Sequence, residues 1–133
     1  MPDGSKCGGA PHVLVAEDEP PVAMVIDDSL TDGGFCVTCA PDGLVAVAEL
    51  ATQSFDAVVT DVRMPNLDGV GLVRSILSRY SRMPIIVLSG YMTPQQRSDL
   101  LGLGIPAEAL LEKPNGFRQL RGILARLLGP SRR

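Results

Sequence analysis

Apolar runs and helical repeats alternate along the chain, and this alternation predicts a sheet whose strands are separated by helices. Five short runs of apolar residues have the length of buried strands. After each run, apolar residues recur three or four positions apart, which is typical of a helix with one buried face. The predicted strands cover 12–17, 35–40, 56–61, 84–90 and 108–113, and the predicted helices begin near 20, 42, 69, 93 and 116.

Five strands alternating with five helices indicate an α/β fold, a doubly wound five-stranded parallel sheet with helices on both faces. The fourth strand is apolar throughout residues 84–88, which fits a strand covered on both sides. In such sheets ligands bind beyond the carboxyl ends of the strands. We see no repeat and no second domain, so we predict a flexible leader at 1–11, one domain at 12–128 and a tail at 129–133.

The composition is that of a globular protein, with 45% hydrophobic and 20% charged residues. A net charge of -3 and a pI near 5.0 argue against direct binding of nucleic acid. No apolar stretch reaches the roughly 20 residues of a membrane-spanning helix, and the N-terminus lacks the apolar segment of a signal peptide. We therefore predict a cytoplasmic protein that binds neither nucleic acid nor membrane.

The three cysteines raise the question of a redox or zinc site. Cys36 and Cys39 form a CxxC motif, but residues three apart on a strand point to opposite faces. A zinc site would also need further ligands, and His12 is the only histidine. The sequence therefore favours reduced, structural cysteines, with Cys7 exposed in the Gly-rich leader and His12 at the boundary of the first strand.

Polar side chains stand at the predicted carboxyl ends of four strands. Glu17 and Asp18 end the first strand, Asp61 the third, Ser89 the fourth and Lys113 the fifth. In a parallel sheet these ends meet at one edge. Two like charges about 4 Å apart repel by roughly 4 kcal/mol at an effective dielectric near 20, so three acids together call for a cation. Oxygen ligands with room for water suit Mg²⁺.

Two other kinds of phosphate site fit the sequence poorly. Nucleotide-binding folds place glycines after the first strand, so that backbone N–H groups can cradle phosphate. This chain has Glu-Asp-Glu-Pro-Pro at 17–21, which would repel phosphate in the absence of a metal. A haloacid-dehalogenase-like phosphatase would carry a second acid two residues after the strand-end aspartate, and here that position is Arg63.

Four motifs resemble the receiver domain of bacterial two-component response regulators, including the chemotaxis regulators. They are HVLVAEDEP, AVVTDVRMPNLDG, PIIVLSGY and LLEKP, and they occur in the order of the family from about residue 12 to 128. The string D-x-x-M-P-x-x-D-G at 61–69 is the most specific of them. The resemblance implies the flavodoxin-like strand order 2-1-3-4-5 and a cis peptide bond between Lys113 and Pro114.

The resemblance also implies a chemistry for the strand-end cluster. Asp61 would accept a phosphoryl group from a phosphohistidine of a sensor histidine kinase or a histidine phosphotransfer protein, because a carboxylate can act as the nucleophile. The domain would not be an enzyme beyond catalysing its own phosphorylation and dephosphorylation. The implied ligands are Asp18, Asp61 and the backbone carbonyl of Arg63 for Mg²⁺, Glu17 for Mg²⁺ through water, and Ser89 and Lys113 for phosphoryl oxygens.

The chain departs from the family at one position. Receivers usually carry Tyr or Phe three residues before the lysine, and this chain has Leu110. The departure puts the coupling of phosphorylation to a conformational change in doubt. We predict a stand-alone signalling receiver without an output domain after the last helix. The alternatives are three: an interaction module acting without phosphorylation, the receiver of a hybrid sensor kinase serving as a phosphate sink, and the excised receiver of a longer regulator.

Overall fold

The computed structural model of the protein describes residues 7–129. Their strands and helices alternate as the hydrophobic pattern predicts. The strands are β1 (His12–Ala16), β2 (Cys36–Ala40), β3 (Ala57–Thr60), β4 (Ile85–Ser89) and β5 (Leu110–Glu112). The helices are α1 (Pro20–Asp32), α2 (Gly43–Thr52), α3 (Gly69–Arg79), α4 (Pro94–Gly102) and α5 (Gly116–Leu128), and a 3-10 turn (Ala107–Ala109) precedes β5.

All five strands are parallel and lie in the order β2-β1-β3-β4-β5, which confirms the predicted fold. Strands β1 and β2 lie on one side of the gap between β1 and β3, and β3, β4 and β5 lie on the other. This gap is the switch point at which ligands bind in open α/β sheets. Helices α1 and α5 contact each other, and α3 contacts both α2 and α4.

The core consists of the apolar strands and the inward faces of the helices. Val13, Leu14 and Val15 are fully buried on β1, so this central strand is covered on both faces. Burying one such side chain contributes roughly 1.5–3 kcal/mol, which makes the central strands rigid supports for the residues that follow them. Within residues 7–129, no helix has the length and apolar character needed to cross a membrane.

The helix boundaries follow the local signals in the sequence. Thr93 and Gln96 form a capping box at the start of α4, with Pro94 as the first helical residue. Gly33 ends α1, and Gly34 has a φ of 93° that favours glycine. The fifth strand is shorter than predicted, because residues 107–109 form the 3-10 turn instead of extended backbone.

The prediction of reduced cysteines is wrong for two of the three, since Cys7 and Cys36 form a disulfide. Gly8 and Gly9, with φ of 59° and 92°, turn the chain so that Cys7 reaches β2. Cys7 is consequently half-buried and not simply exposed. Cys39 is exposed on β2 outside this disulfide, so the CxxC motif does not act as a pair.

The predicted leader and tail are described only in part. Residues 7–11 are joined to β2 by the disulfide and by the N–H of Cys36, which donates to the carbonyl of Pro11 at 2.8 Å. Positions 1–6 of the leader and 130–133 of the tail lie outside the described residues. His12 belongs to β1 and is buried, so its place as a mere boundary residue needs correction.

Candidate functional site

Asp61 lies directly after β3, at the switch point between β1 and β3. Its N–H donates to the carbonyl of Ala16 at 3.1 Å, which continues the pairing of the two strands by one residue. Its Oδ1 accepts from the N–H groups of Val62 at 2.6 Å and Arg63 at 3.3 Å. The carboxylate is therefore buried and held in one orientation by backbone donors.

The loop after Asp61 owes its shape to Asp68 and Gly69. Asp68 caps α3 by accepting from the N–H of Gly71 at 2.8 Å. Gly69 donates to the carbonyl of Val62 at 2.8 Å, and a Cβ at position 69 would collide with the backbone carbonyl of Asp61. The Asp-Gly pair thus lets the start of α3 pack against the backbone of Asp61.

Two further acids come from the end of β1. The N–H of Glu17 donates to the carbonyl of Ala40 on β2 at 3.0 Å, and the Glu17 carboxylate is buried. The next residue, Asp18, is exposed. Glu17, Asp18 and Asp61 each offer a carboxylate oxygen, and the three oxygens lie within 4.8 Å of one another. We call these three residues the acid pocket.

Lys113 follows the edge strand β5, and its side chain reaches the acid pocket. Its Nζ donates to Glu17 Oε1 at 2.9 Å and to Asp61 Oδ2 at 3.0 Å. Its N–H donates to the carbonyl of Ser89 at 2.8 Å, which places Lys113 just beyond the β4–β5 pair. The peptide bond from Lys113 to Pro114 is cis, which confirms the prediction.

The electrostatics of the pocket favour a cation. Burial raises the pKa of Glu17 above its usual range, and the hydrogen bond and charge of Lys113 offset only part of this rise. For Lys113, burial alone would lower the pKa, but its hydrogen bonds to Glu17 and Asp61 outweigh burial and raise it. One ammonium therefore pairs with two of the three acids, and Glu17 ionises at a cost that a further positive charge would reduce.

Ser89 lies at the end of β4 with its side chain fully buried. Its hydroxyl donates to the carbonyl of Tyr91 at 2.9 Å and accepts from the Tyr91 N–H at 3.3 Å. The structure therefore brings Ser89 next to Lys113 through the backbone, with the hydroxyl engaged by the following loop. Its contact with a phosphoryl oxygen stays a prediction, and so does the metal contact of the Arg63 carbonyl.

The acid pocket has the donor set that Mg²⁺ prefers. All three side chains offer oxygen, two of them are buried, and the exposed Asp18 leaves the pocket open on one side. An octahedral ion keeps several water ligands, which an open side accommodates. The residues present therefore fit Mg²⁺.

Two contributions to this site do not follow from side-chain patterns. The N–H groups of Val62 and Arg63 hold Asp61, and no residue type marks them in advance.

Leu110, at the start of β5, is 8% exposed and is paired in register with Val87, whereas Tyr91 is 57% exposed. A buried leucine thus occupies the position at which the resemblance predicts an aromatic side chain.

Comparison with known proteins agrees with this geometry. The chain matches the response regulator receiver domain family over residues 13–125. It is 36% identical to response regulator MprA of Mycobacterium sp. strain KMS over 88% of this chain and 50% of MprA. The chemotaxis response regulator CheY4 of Vibrio cholerae has a TM-score of 0.78 and 28% identity, over 89% of this chain and 98% of that chain.

A third similar structure is the receiver domain of a signal transduction histidine kinase from Syntrophus aciditrophicus. Its TM-score is 0.81 at 27% identity, over 93% of this chain and 94% of that chain. The chain belongs to the response regulator receiver domain family. It spans about half the length of the curated relatives that it matches.

Proposed function

We propose that this receiver domain accepts a phosphoryl group onto Asp61 in a two-component phosphorelay. The donor would be a phosphohistidine of a sensor histidine kinase or of a histidine phosphotransfer protein, and the phosphorylated domain would signal to a downstream protein. The observation that carries the proposal is the setting of Asp61: a buried carboxylate 3.0 Å from Lys113 Nζ and within 4.8 Å of two other acids. The cytoplasmic location expected from the sequence stays a prediction.

In the proposed transfer, one carboxylate oxygen of Asp61 forms a bond to phosphorus while the phosphorus–nitrogen bond of the phosphohistidine breaks. The electron pair of that bond returns to the imidazole, which leaves. Phosphoryl transfer depends mainly on positioning and on neutralising charge. The Val62 and Arg63 amides position the nucleophile, and Lys113 is near enough to pair with a phosphoryl oxygen.

The acid pocket would hold Mg²⁺ through Asp18, Asp61 and the Arg63 carbonyl, with Glu17 acting through water. Bound there, the ion would supply positive charge to the developing phosphoryl oxygens. Three acids and one lysine sum to two negative charges when all are ionised, and a divalent cation cancels both. Ser89 would donate to a phosphoryl oxygen once its hydroxyl leaves the carbonyl of Tyr91. No substrate is turned over beyond the domain's own phosphorylation and dephosphorylation.

A second function, phosphate storage within a hybrid kinase, is supported by the similarity to the receiver of a histidine kinase. The two functions share the chemistry at Asp61 and differ in the use made of the phosphorylated state. A signalling receiver must change its surface on phosphorylation, whereas a phosphate sink needs only to accept and release the group.

Incubation with acetyl phosphate, followed by intact mass measurement, tests the phosphoacceptor. We expect the wild type to gain one phosphoryl group in the presence of Mg²⁺ and none in the presence of a chelator. Asp61→Asn should show no gain, because the amide nitrogen is not a comparable nucleophile. Asp28→Asn, at an exposed position on α1, is the matched control and should behave as the wild type. An equal mass gain in Asp61→Asn would refute the assignment.

A further inference from the structure

A second cluster of reactive side chains lies at the opposite end of the sheet from the acid pocket. Cys7, His12 and Cys36 each offer a ligand atom, and the three atoms lie within 4.8 Å of one another. His12 begins β1 and Cys36 begins β2, directly opposite each other in the register of the two strands. The proposed phosphotransfer uses none of these three residues, which we call the thiol-imidazole cluster.

The hydrogen bonds of His12 determine which ring nitrogen carries the proton. Its Nδ1 lies 3.0 Å from the carbonyl oxygen of Ser54, which can only accept, so Nδ1 carries the proton. In the neutral ring, Nε2 then has the lone pair and accepts from the hydroxyl of Thr38 at 2.7 Å. A histidine whose other nitrogen donates to a backbone carbonyl is oriented as metal-binding histidines usually are.

The same arrangement places Nε2 on the face of the sheet that carries the Cys36 side chain. Thr38 and Cys36 are two residues apart on β2, so their side chains point to the same face, and Nε2 reaches that face. His12 is buried and its ring packs on Phe55, with centroids 4.2 Å apart. The imidazole is therefore held in a fixed place, and the Thr38 hydroxyl would have to turn away from Nε2 before a metal could bind there.

The three ligand atoms are near enough to share one ion once the disulfide is reduced. Ligand atoms at Zn–S and Zn–N distances lie about 3.5–3.8 Å apart, so the two sulfurs would move apart from their bonded distance, while a ring nitrogen of His12 already lies within 4.8 Å of both. Two of its members start strands and are fixed by the sheet, whereas Cys7 lies in a turn outside any helix or strand. Cys7 can therefore move away from Cys36 on reduction, and rotation of the Thr38 hydroxyl would expose Nε2.

We propose that in the reduced protein the thiol-imidazole cluster binds one Zn²⁺ ion. Cys7 and Cys36 would bind as thiolates and His12 through Nε2, with water as the fourth ligand. The disulfide form is the oxidised, metal-free state of the same cluster. In a reducing compartment the dithiol predominates, and its two deprotonated thiols are then the ligands that zinc prefers.

Conversion between the two states needs an oxidant, for which a low-molecular-weight disulfide suffices. The two thiolates reduce that disulfide by two electrons, a new sulfur–sulfur bond joins Cys7 to Cys36, and two low-molecular-weight thiolates and Zn²⁺ are released. Both states tie residues 7–11 to the edge strand β2. The cluster and the acid pocket are separated by the length of β1, roughly 15 Å, so zinc binding is expected to be independent of phosphorylation.

Zinc titration of the reduced protein tests the proposal. Protein reduced with a phosphine and kept free of oxygen competes with a chromophoric chelator for Zn²⁺, and native mass spectrometry counts the bound ions. We expect one ion per chain in the wild type. Cys7→Ser and Cys36→Ser should weaken binding by about 10–100-fold or more. Cys39→Ser is the matched control, because it removes an exposed cysteine of the same strand that lies outside the cluster, and it should bind as the wild type does.

Two further measurements separate a zinc site from a general loss of structure. Each variant should retain the phosphoryl uptake of the wild type, and Co²⁺ in place of Zn²⁺ should give the absorption of a thiolate-bound ion only when Cys7 and Cys36 are both present. Failure of the reduced wild type to bind one Zn²⁺ would overturn the proposal. So would equal binding by the oxidised protein, or a loss in Cys39→Ser as large as that in Cys36→Ser.

Discussion

The two ends of the parallel sheet are organised by opposite physical means. At the carboxyl end, one lysine pairs with two of three acids, and Glu17 is buried at a cost that Lys113 only partly offsets. At the amino end, a covalent bond joins Cys7 to Cys36, and His12 is fully hydrogen-bonded within a buried setting. The first end carries an unbalanced charge that a ligand can balance, and the second contributes stability.

The difference shows how one fold separates the proposed phosphoryl chemistry from covalent support. Residues at the carboxyl end come directly after the strands, so their side chains project from rigid supports into an open pocket. Residues at the amino end are part of the strands or bonded to them. A change at the carboxyl end should therefore alter chemistry more than stability, and a change at the amino end should do the reverse.

The largest expected effect on stability is the loss of the disulfide. The bond closes a loop between residues 29 positions apart, and the chain-entropy relation gives about 3–4 kcal/mol for a loop of that length. Under oxidising conditions, Cys7→Ser should lower the free energy of unfolding in urea by about this amount, while phosphoryl uptake is retained.

Cys39→Ser serves as the control for this measurement, since it leaves the disulfide intact. Reduction of the wild type without added metal should bring its urea midpoint to that of Cys7→Ser. Equal stability of Cys7→Ser and the oxidised wild type would contradict the contrast between the two ends, because the amino end would then contribute no covalent support.

A smaller change, an increase in the free energy of unfolding at neutral pH, is expected when Glu17 is replaced by glutamine. Its pKa is raised in the folded state, so the folded state holds this proton more tightly than the unfolded chain does. The corresponding stability is present below the unfolded pKa of about 4.5 and is lost as the pH rises through the folded value. Glutamine does not ionise, so Glu17→Gln does not lose this stability as the pH rises. Its amide oxygen can still accept from Lys113.

The measurement is urea unfolding at one pH below the unfolded pKa of about 4.5 and at one pH above it, near neutrality, without divalent cations. Between these two values the wild type should lose more stability than Glu17→Gln. Adding Mg²⁺ at the higher pH should stabilise the wild type more than the variant, by mass action. Glu19→Gln, an exposed change two residues away, should behave as the wild type does. Parallel pH profiles for the wild type and Glu17→Gln would show that the burial of Glu17 costs nothing.

The residues at the carboxyl end of the sheet could be predicted, because each of them is marked by its immediate neighbours in the sequence. Each acid stands next to an apolar run, and parallel strands bring such positions to one edge. Strand order and the cis bond before Pro114 were implied by the family motifs. The motifs could not predict that the Ser89 hydroxyl donates to the carbonyl of Tyr91, because this hydrogen bond depends on the backbone conformation of the loop that follows β4.

The amino end could not be predicted, because its information is not local. Strand alternation correctly separates Cys36 from Cys39, but nothing near Cys36 indicates Cys7 as its partner. That pairing depends on two glycines at positive φ, which return the leader to the edge strand. Likewise the partners of His12 come from residues 38 and 54, whose closeness appears only when the sheet has formed.

The smallest expected effect concerns the surface on which a phosphorylation signal would appear. Leu110 is buried at the start of β5, and a leucine that changes rotamer cannot exchange a buried ring for an exposed hydroxyl contact. We therefore expect beryllofluoride, a phosphate mimic, to alter hydrogen exchange strongly near Asp61 and Lys113 and only slightly over α4, β5 and α5.

Leu110→Tyr restores the missing ring and hydroxyl and should enlarge the response over α4, β5 and α5, with uptake of phosphate at Asp61 retained. Leu110→Met is the size-matched control, since such a volume-conserving change usually costs less than about 1.5 kcal/mol, and it should respond as the wild type does. A wild-type response as large over α4, β5 and α5 as around Asp61 would show that leucine supports a full switch. That result would favour a signalling receiver, whereas the small response expected here suits a domain that passes phosphate on or is recognised through the loops beside the acid pocket.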